Sequence, residues 1–162
     1  MRYSHKLLTF LLLAALVAAC TASWRPPPFA NNGAAPTGEE IAGLAQGLLG
    51  APYRYGGETP QGFDCSGLVY YIHERLGMDV PRSADAQYGH ARQVAVRDLQ
   101  PGDLVFFRLA GSKVAHVGIY IGNGRFIHAP STGKDVSYAE LDDAWWWNRF
   151  VGAGLFYSTA EH

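Results

Sequence analysis

Cysteine is scarce in this chain: of its 162 residues only Cys20 and Cys65 are cysteine. There is no Cys-x-x-Cys pair, the motif that dithiol redox proteins use, so a periplasmic redox protein is not favoured. Histidine, cysteine and carboxylate residues also do not occur at the usual spacing of zinc ligands. We therefore expect no metal and no cofactor.

Basic charge is limited as well, with 13 Lys and Arg against 14 Asp and Glu. No basic stripe interleaved with aromatic residues occurs, so nucleic acid is not expected as a partner. The length suits one compact domain after a short leader, and the sequence contains no repeats. The 19 glycines and 9 prolines indicate many turns and a strand-rich portion.

Residues 1–19 have the pattern of a secretory signal peptide. Arg2 and Lys6 precede an apolar core over residues 7–17, which is too short to cross a membrane comfortably. A leader of this kind predicts export to an oxidising compartment.

The leader ends in two alanines followed by Cys20, and this ending is similar to a bacterial lipobox. The similarity implies cleavage before Cys20 and lipid attachment to it, hence contact with a membrane. The alternative is an ordinary secretory signal with an incidental cysteine. Thr21 rather than aspartate follows; by similarity to Gram-negative lipoproteins, this implies the periplasmic face of the outer membrane. We expect residues 20–36, which lack periodicity, to be a flexible linker.

Residues 37–162 are expected to form the folded domain, with helices in its first part. The run Thr37-Gly38-Glu39-Glu40 matches a capping box, and apolar residues at helical spacing follow it up to Gly50. A second helix is predicted from about Cys65 to Leu76, with Gly77 as its end. Ser83 is the predicted N-cap of a third, short helix that contains Gln87.

Strand patterns follow the helices. Strands are predicted over residues 104–107, 114–121, 125–128 and 150–157, with a tight turn at residues 122–124. Helices first and antiparallel strands second indicate an α+β domain, with N-terminal helices packed on a central antiparallel sheet.

Cys65 is the candidate nucleophile. If lipid occupies Cys20, Cys65 is an unpaired thiol in an oxidising compartment, which favours a chemical role for it. A cysteine at a helix N-terminus also lies at the positive end of the helix dipole, which stabilises a thiolate. The alternative is a buried core cysteine, although the polar neighbours Asp64 and Ser66 weigh against it.

A thiol nucleophile needs a base, and two histidines are suitably placed. His116 opens one predicted strand and His128 ends the next, so a hairpin brings them to adjacent strands, where they can face each other. The other three histidines of the predicted domain are less suitable as the base. His73 lies two turns along the helix of Cys65, too far to reach the thiol, while His90 lies in a polar turn and His162 ends the chain. Cys65, His116 and His128 thus form a candidate set of nucleophile, base and orienting group.

Several ordered motifs of the chain resemble those of the NlpC/P60 cysteine peptidases, including the murein endopeptidase lipoproteins of that family. The motifs are Pro52-Tyr53-Arg54-Tyr55-Gly56-Gly57, Asp64-Cys65-Ser66-Gly67-Leu68-Val69, Pro81-Arg82-Ser83, Pro101-Gly102-Asp103-Leu104-Val105-Phe106-Phe107, His116-Val117-Gly118-Ile119-Tyr120-Ile121-Gly122 and Phe126-Ile127-His128-Ala129. The resemblance implies a compact papain-like fold and hydrolysis of peptidoglycan stem or cross-link peptides. By position it implies that Cys65 is the nucleophile, His116 the base, His128 the residue that orients His116, and Tyr53 the tyrosine whose hydroxyl lies beside the thiol.

Four further polar residues are candidates for substrate contact: Asp64, Ser66, Ser83 and Gln87. For Asp64 and Ser83, helix capping is the favoured alternative. The run Trp145-Trp146-Trp147 is expected to pack in the core under the last strand, and the alternative is an exposed ring that lines a glycan or peptide groove.

The resemblance leaves the cleaved bond open. Similarity to the murein endopeptidase lipoproteins favours the diaminopimelate–D-Ala cross-link, and the alternative is the bond between D-Glu and the diamino acid. An acyltransferase of the permuted lecithin:retinol acyltransferase-like group is not favoured, because there histidine precedes cysteine. A non-catalytic wall-binding lipoprotein is the remaining alternative. A monomer is expected.

Overall fold

The computed structural model describes residues 34–158. The predicted signal peptide, Cys20, nearly all of the predicted linker and His162 lie outside the described residues. Within residues 34–158, no helix has both the length and the apolar character that crossing a bilayer requires.

Four α-helices occur in the described part of the chain. They are α1 (Gly38–Gln46), α2 (Cys65–Arg75), α3 (Ala84–His90) and α4 (Ala144–Trp147). The predicted capping box is confirmed: the Thr37 hydroxyl accepts from the Glu40 N–H at 3.2 Å, and the Glu40 carboxylate accepts from the Thr37 N–H at 2.8 Å. The chain leaves α1 through turns that end at Gly50, which has a φ of +80°.

Two antiparallel sheets accompany the helices. The strands are β1 (Glu58–Thr59), β2 (Gly62–Phe63), β3 (Arg92–Val94), β4 (Leu104–Phe107), β5 (His116–Tyr120), β6 (Arg125–His128), β7 (Ser137–Glu140) and β8 (Phe150–Leu155). β1 and β2 form a small hairpin, and the other six form a sheet in the order β3-β8-β4-β5-β6-β7. The α+β architecture with helices first is therefore confirmed.

The central sheet has a different core on each face. Val117 and Ile119 of β5 belong to the core that α2 covers through Leu68, Val69 and Ile72. The opposite face carries the aromatic rings Phe107 and Phe126, against which Trp146 of α4 packs. Side chains alternate along a strand, so His116 lies on the aromatic face while its neighbour Val117 packs toward α2.

Gly118 of β5 is predicted to tolerate no side chain. A Cβ atom there would collide with the Phe126 ring and lie 3.1 Å from the Ile127 carbonyl oxygen. We expect Gly118→Ala to lower the free energy of unfolding by about 1–3 kcal/mol, because extra volume in a packed core forces strain. Urea denaturation of the full chain measures this change.

Gly43→Ala is the matched control, since nothing lies within 4 Å of a Cβ built at Gly43 in α1. There we expect a gain of about 0.5–1 kcal/mol, because alanine loses less conformational freedom in a helix than glycine does. A Gly118→Ala protein as stable as the unsubstituted chain would contradict the packing described above.

Candidate active site

Cys65 is the first residue of α2, as predicted. Asp64 is the N-cap: one carboxylate oxygen accepts from the Gly67 N–H at 2.7 Å and the other from the Gly56 N–H at 2.9 Å. The Cys65 thiol lies 4.0 Å from the carbonyl oxygen of Ala115, the residue directly before His116. The start of α2 and the start of β5 therefore meet at the thiol.

The two histidines form a bonded pair. Nε2 of His116 lies 2.8 Å from Nδ1 of His128, and the ring planes are nearly perpendicular at 86°. The β5–β6 register pairs Tyr120 with Phe126, so the histidines are diagonal neighbours on one face of the hairpin. The predicted hairpin contact between the histidines is confirmed, and it uses Nε2 of His116 rather than Nδ1.

Burial keeps both imidazoles neutral, as only 3% of His116 and 4% of His128 is exposed. It lowers the pKa of His116 to about 3, with a further contribution from His128. Burial and the nearby Lys134 ammonium lower the pKa of His128 to about 4. At neutral pH each ring therefore has one N–H donor and one acceptor nitrogen.

The thiol is also held in its neutral form. Burial raises the pKa of Cys65, and the charge of Asp64 adds to the rise. The backbone N–H of Val117 and those at the helix start act in the opposite direction, as expected for a helix N-terminus, but burial outweighs them. In the free protein the thiol thus keeps its proton until a reaction moves it.

Tyr53 lies in the segment beside the thiol. Its N–H donates to the Lys134 carbonyl at 2.9 Å, and its backbone bridges Phe63 of β2. Burial raises the pKa of its hydroxyl, and so do the charges of Cys65 and Asp64, which places the phenol within electrostatic reach of the thiol. The position of its hydroxyl directly beside the thiol stays a prediction.

Asp64 and Ser66 are engaged by Arg82, which lies between α2 and α3. The guanidinium donates to both Asp64 oxygens at 2.9 Å and to the Ser66 hydroxyl at 3.0 Å. It also donates to Glu58 of β1 at 3.0 Å and to the Gly57 carbonyl at 3.2 Å. This role of Arg82 was not predicted from the sequence, since no local pattern identifies a partner 18 residues away.

Ser83 and Gln87 have structural tasks. The Ser83 hydroxyl caps α3 by accepting from the Ala86 N–H at 3.4 Å, which confirms the capping alternative. The Gln87 amide donates to the carbonyls of Ser66 at 3.0 Å and Pro81 at 2.8 Å. The expected contact of Gln87 with substrate does not fit the structure, because its side chain is fully buried and bonds to the first turn of α2.

The three tryptophans of α4 meet the expectation of core packing in part, because Trp146 packs on the aromatic core of the sheet. Trp145 and Trp147 are half exposed, whereas the ring of Trp146 stacks on His116, with centroids 5.3 Å apart and planes 28° apart. Sequence reasoning expected core packing under the last strand and did not connect Trp146 with the histidines, because that contact depends on how α4 folds over the sheet.

The remaining described histidines lie outside this cluster. His73 is buried in α2 and its Nδ1 lies 2.8 Å from the Val69 carbonyl oxygen, while His90 is exposed at the end of α3. Among residues 34–158, no group of three or more histidine, cysteine and carboxylate side chains is arranged to hold a metal ion.

Comparison with known proteins identifies related chains. The model of the NlpC/P60 family matches residues 50–155. The chain is 47% identical over 111 residues to murein DD-endopeptidase MepH of Escherichia coli, covering 65% of this chain and 41% of that protein. It is 42% identical over 145 residues to probable endopeptidase NlpC of Escherichia coli, covering 86% and 92% of the two chains.

Two further proteins extend the comparison. The gamma-DL-glutamyl hydrolase of Bacillus subtilis is 41% identical over 115 residues, which is 69% of this chain and 28% of that protein. The crystal structure of an NlpC/P60 family protein from Bacillus cereus has a TM-score of 0.74 at 31% identity, covering 77% of this chain and 42% of that one. The chain thus spans less than half the length of several of its relatives and nearly the full length of NlpC.

The protonation states predict how the thiol reacts with alkylating agents. Because burial raises the pKa of Cys65 and His116 is neutral, we expect no reactive thiolate–imidazolium pair in the free protein at pH 5–7. The rate of iodoacetamide alkylation should rise steadily with pH up to at least about pH 9, above the ordinary thiol pKa.

The alkylation rate is best measured on the Cys20→Ser variant, in which Cys65 is the single thiol. The matched control is the same variant unfolded in urea, whose thiol should titrate near its ordinary pKa. A rate that is high and constant from pH 5 to pH 8 would show a preformed ion pair and contradict this assignment.

The pair of Asp64 and Arg82 predicts a pH dependence of stability. Burial raises the pKa of Asp64, but the bonds from Arg82, Gly67 and Gly56 together hold it below its usual value. A carboxyl with a lowered folded pKa stabilises the fold above its unfolded pKa of about 3.9, and the contribution is lost as the pH falls through the folded pKa.

We expect Asp64→Asn to lower the free energy of unfolding at pH 7 by about 1–3 kcal/mol, since the variant loses charge-assisted hydrogen bonds. The difference from the unsubstituted chain should shrink as the pH falls below 4. Asp98→Asn is the control, because Asp98 makes only an exposed contact with Arg97 at 3.6 Å. Equal pH profiles for Asp64→Asn and Asp98→Asn would contradict the role given to Arg82.

Proposed function

The chain belongs to the NlpC/P60 family, and on that basis we propose that it is a cysteine endopeptidase that hydrolyses peptide bonds of peptidoglycan. One observation carries the proposal: His116, which is bonded to His128 of β6, opens β5, and the start of β5 meets the Cys65 thiol. A nucleophile, a base and a group that orients the base are the parts that acyl transfer requires.

In the proposed mechanism, Cys65 attacks the carbonyl carbon of the scissile bond. Nδ1 of His116 takes the thiol proton as sulfur bonds to carbon, and the carbonyl oxygen becomes an oxyanion. The Cys65 backbone N–H at the start of α2 stabilises this oxyanion, together with the Tyr53 hydroxyl. His116 then gives its proton to the leaving amine, and the C–N bond breaks to leave a thioester.

Water completes the reaction. His116 takes a proton from the attacking water, the C–S bond breaks, and the proton returns to the sulfur as the carboxyl product leaves. The base therefore has to begin each half-reaction neutral, and a His116 whose pKa is about 3 meets this requirement.

We assign His128 the task of fixing the tautomer of His116. A basic Nδ1 on His116 requires the proton on Nε2, and Nε2 lies 2.8 Å from Nδ1 of His128. His128 must then accept at Nδ1 and stay neutral. Burial and the Lys134 charge, which lower its pKa to about 4, keep it neutral.

The location follows from the sequence of the first part of the chain. We propose that residues 1–19 direct export, that Cys20 carries lipid, and that residues 20–36 tether a catalytic domain of residues 37–162 to the membrane. The proposed location is the periplasmic face of the outer membrane, where a monomer acts on peptidoglycan peptides.

We propose the diaminopimelate–D-Ala cross-link as the bond that is cut. The relative in Escherichia coli that is named a murein DD-endopeptidase supports this choice. A second candidate is the bond between D-Glu and the diamino acid, supported by the relative named gamma-DL-glutamyl hydrolase.

Digestion of purified sacculi and defined muropeptides by the full chain tests both candidates. We expect cross-linked dimers to disappear into monomers, identified by mass spectrometry. Shortened stems that end at D-Glu would instead establish the second candidate.

Three variants accompany the digestion. Cys65→Ala and His116→Ala should abolish product formation, and His128→Ala should lower kcat/KM by about 10²- to 10⁴-fold, the range typical for loss of acid–base assistance. His90→Ala is the control outside the proposed machinery, since His90 is exposed at the end of α3. Absence of products from the unsubstituted chain, with the thiol shown to be reduced, would overturn the hydrolase and favour a wall-binding lipoprotein.

A further inference from the structure

The short helix α4 is held in place by its two outer tryptophans. The N-cap Asp143 accepts from the Trp145 N–H at 2.8 Å, and the Arg149 guanidinium lies 4.1 Å from the centre of the Trp145 ring. The ring of Trp147 stacks on Phe150 of β8, with planes 5° apart. These contacts hold the helix so that its middle ring, Trp146, points toward the sheet.

The ring of Trp146 touches both histidines of the pair. It stacks on His116 with centroids 5.3 Å apart, and it meets His128 edge to face at 4.9 Å. Phe107 at 4.7 Å and Phe126 at 5.1 Å support it from the sheet. Three aromatic rings therefore surround the imidazole pair on the side away from α2.

We propose that Trp146 is a positioning residue, whose indole holds the plane of the His116 ring and keeps water away from the bond between His116 and His128. This inference rests on the proposed function and extends it. Trp146 does not contact the thiol or the reacting atoms; it acts on catalysis through the orientation and solvation of His116.

A single hydrogen bond does not fix a ring. The bond at Nε2 restrains one atom of His116, but the imidazole can still tilt about that contact and move Nδ1 away from the sulfur. A flat indole stacked at 28° removes this freedom. Small displacements of a reacting group cost about 10²-fold in rate, so a restraint on the plane has kinetic value.

The Trp146 ring also excludes water from one side of the bonded pair of His116 and His128. Among residues 34–158, the titratable groups of other elements that lie near the pair include the Lys134 ammonium in the loop after β6, which lowers the pKa of His128, and the Cys65 thiol, which contacts the carbonyl directly before His116. On α4 and its flanks, Asp143 and Arg149 bond to Trp145 instead. Removal of the indole admits water, so the pKa of His116, now about 3, should rise toward its ordinary value of 6.5.

The test compares Trp146→Phe, Trp146→Leu and Trp146→Ala in the full chain. Phenylalanine retains a flat ring, leucine fills the space without one, and alanine leaves it open. We expect Leu and Ala to lower kcat about 10- to 100-fold with little change in KM, and Phe to restore most of the loss. In the Ala variant the acidic limb of the kcat/KM profile should move to higher pH by about one unit or more.

Tyr138→Ala is the control, since that ring is half exposed on β7 and stacks on Arg125 rather than on a histidine or on a ring of α4. It should leave kcat and the acidic limb unchanged. If Trp146→Ala does not fold, the kcat values of Trp146→Phe and Trp146→Leu test the proposal, because both side chains fill the space but only phenylalanine has a planar ring. Equal kcat for Phe and Leu, or an effect of Tyr138→Ala as large as that of Trp146→Ala, would overturn the proposal.

A measurement without substrate separates this inference from the proposed function. The NMR titration of the His116 ring protons reports its pKa directly, and this pKa should rise in Trp146→Ala and stay low in Trp146→Phe. A protein that titrates in this way but cleaves no muropeptide would refute the proposed function and retain the role of Trp146 in shielding the pair. An unchanged titration in Trp146→Ala would refute that role even in an active enzyme.

Discussion

The packing of the start of α2 against the start of β5 is the constraint on which the site depends. Cys65 and Ala115 are 50 residues apart in the chain, yet their contact brings the thiol beside the peptide of His116. The apolar side chains of α2 and β5 hold the two elements together in the main core. Hydrophobic burial thus supplies the stability, and polar contacts set the position of the helix start within it.

Those polar contacts converge on Asp64 and Arg82. Asp64 caps α2, and Arg82 binds both of its oxygens while also reaching Ser66 and the carbonyl of Gly57. Gly67 fits here because a Cβ at that position would collide with the Gly57 carbonyl oxygen. The nucleophile is therefore presented by a helix end that is fixed from the loop before it and from the segment that leads into α3.

Burial gives this site its chemical character. Both imidazoles are enclosed by the aromatic face of the sheet, and the low pKa of each follows from that enclosure. The thiol pKa is raised for the same reason. In the proposed mechanism, the proton of the neutral thiol moves to the neutral imidazole only as the carbonyl is attacked, and the low pKa of His116 keeps this base available at mildly acidic pH.

Local patterns allowed much of the fold to be predicted from the sequence. The capping box at Thr37, the N-caps at Asp64 and Ser83, and the hairpin that pairs His116 with His128 all depend on neighbours within about a dozen residues. The strands β1, β2, β3 and β7 carried no comparable signal, because the first three have only two or three residues each and β7 has no fully buried residue.

Capping chemistry, turn residues and side-chain alternation act between near neighbours, so the helix starts, the main hairpin and the residue types of the candidate site follow from the sequence alone. The bond between Arg82 and Asp64, the burial of Gln87 and the stacking of Trp146 on His116 arise only in the folded protein. Such contacts join residues 18, 21 and 30 positions apart. They are selected by the packing of whole elements, and no local pattern of side chains encodes them.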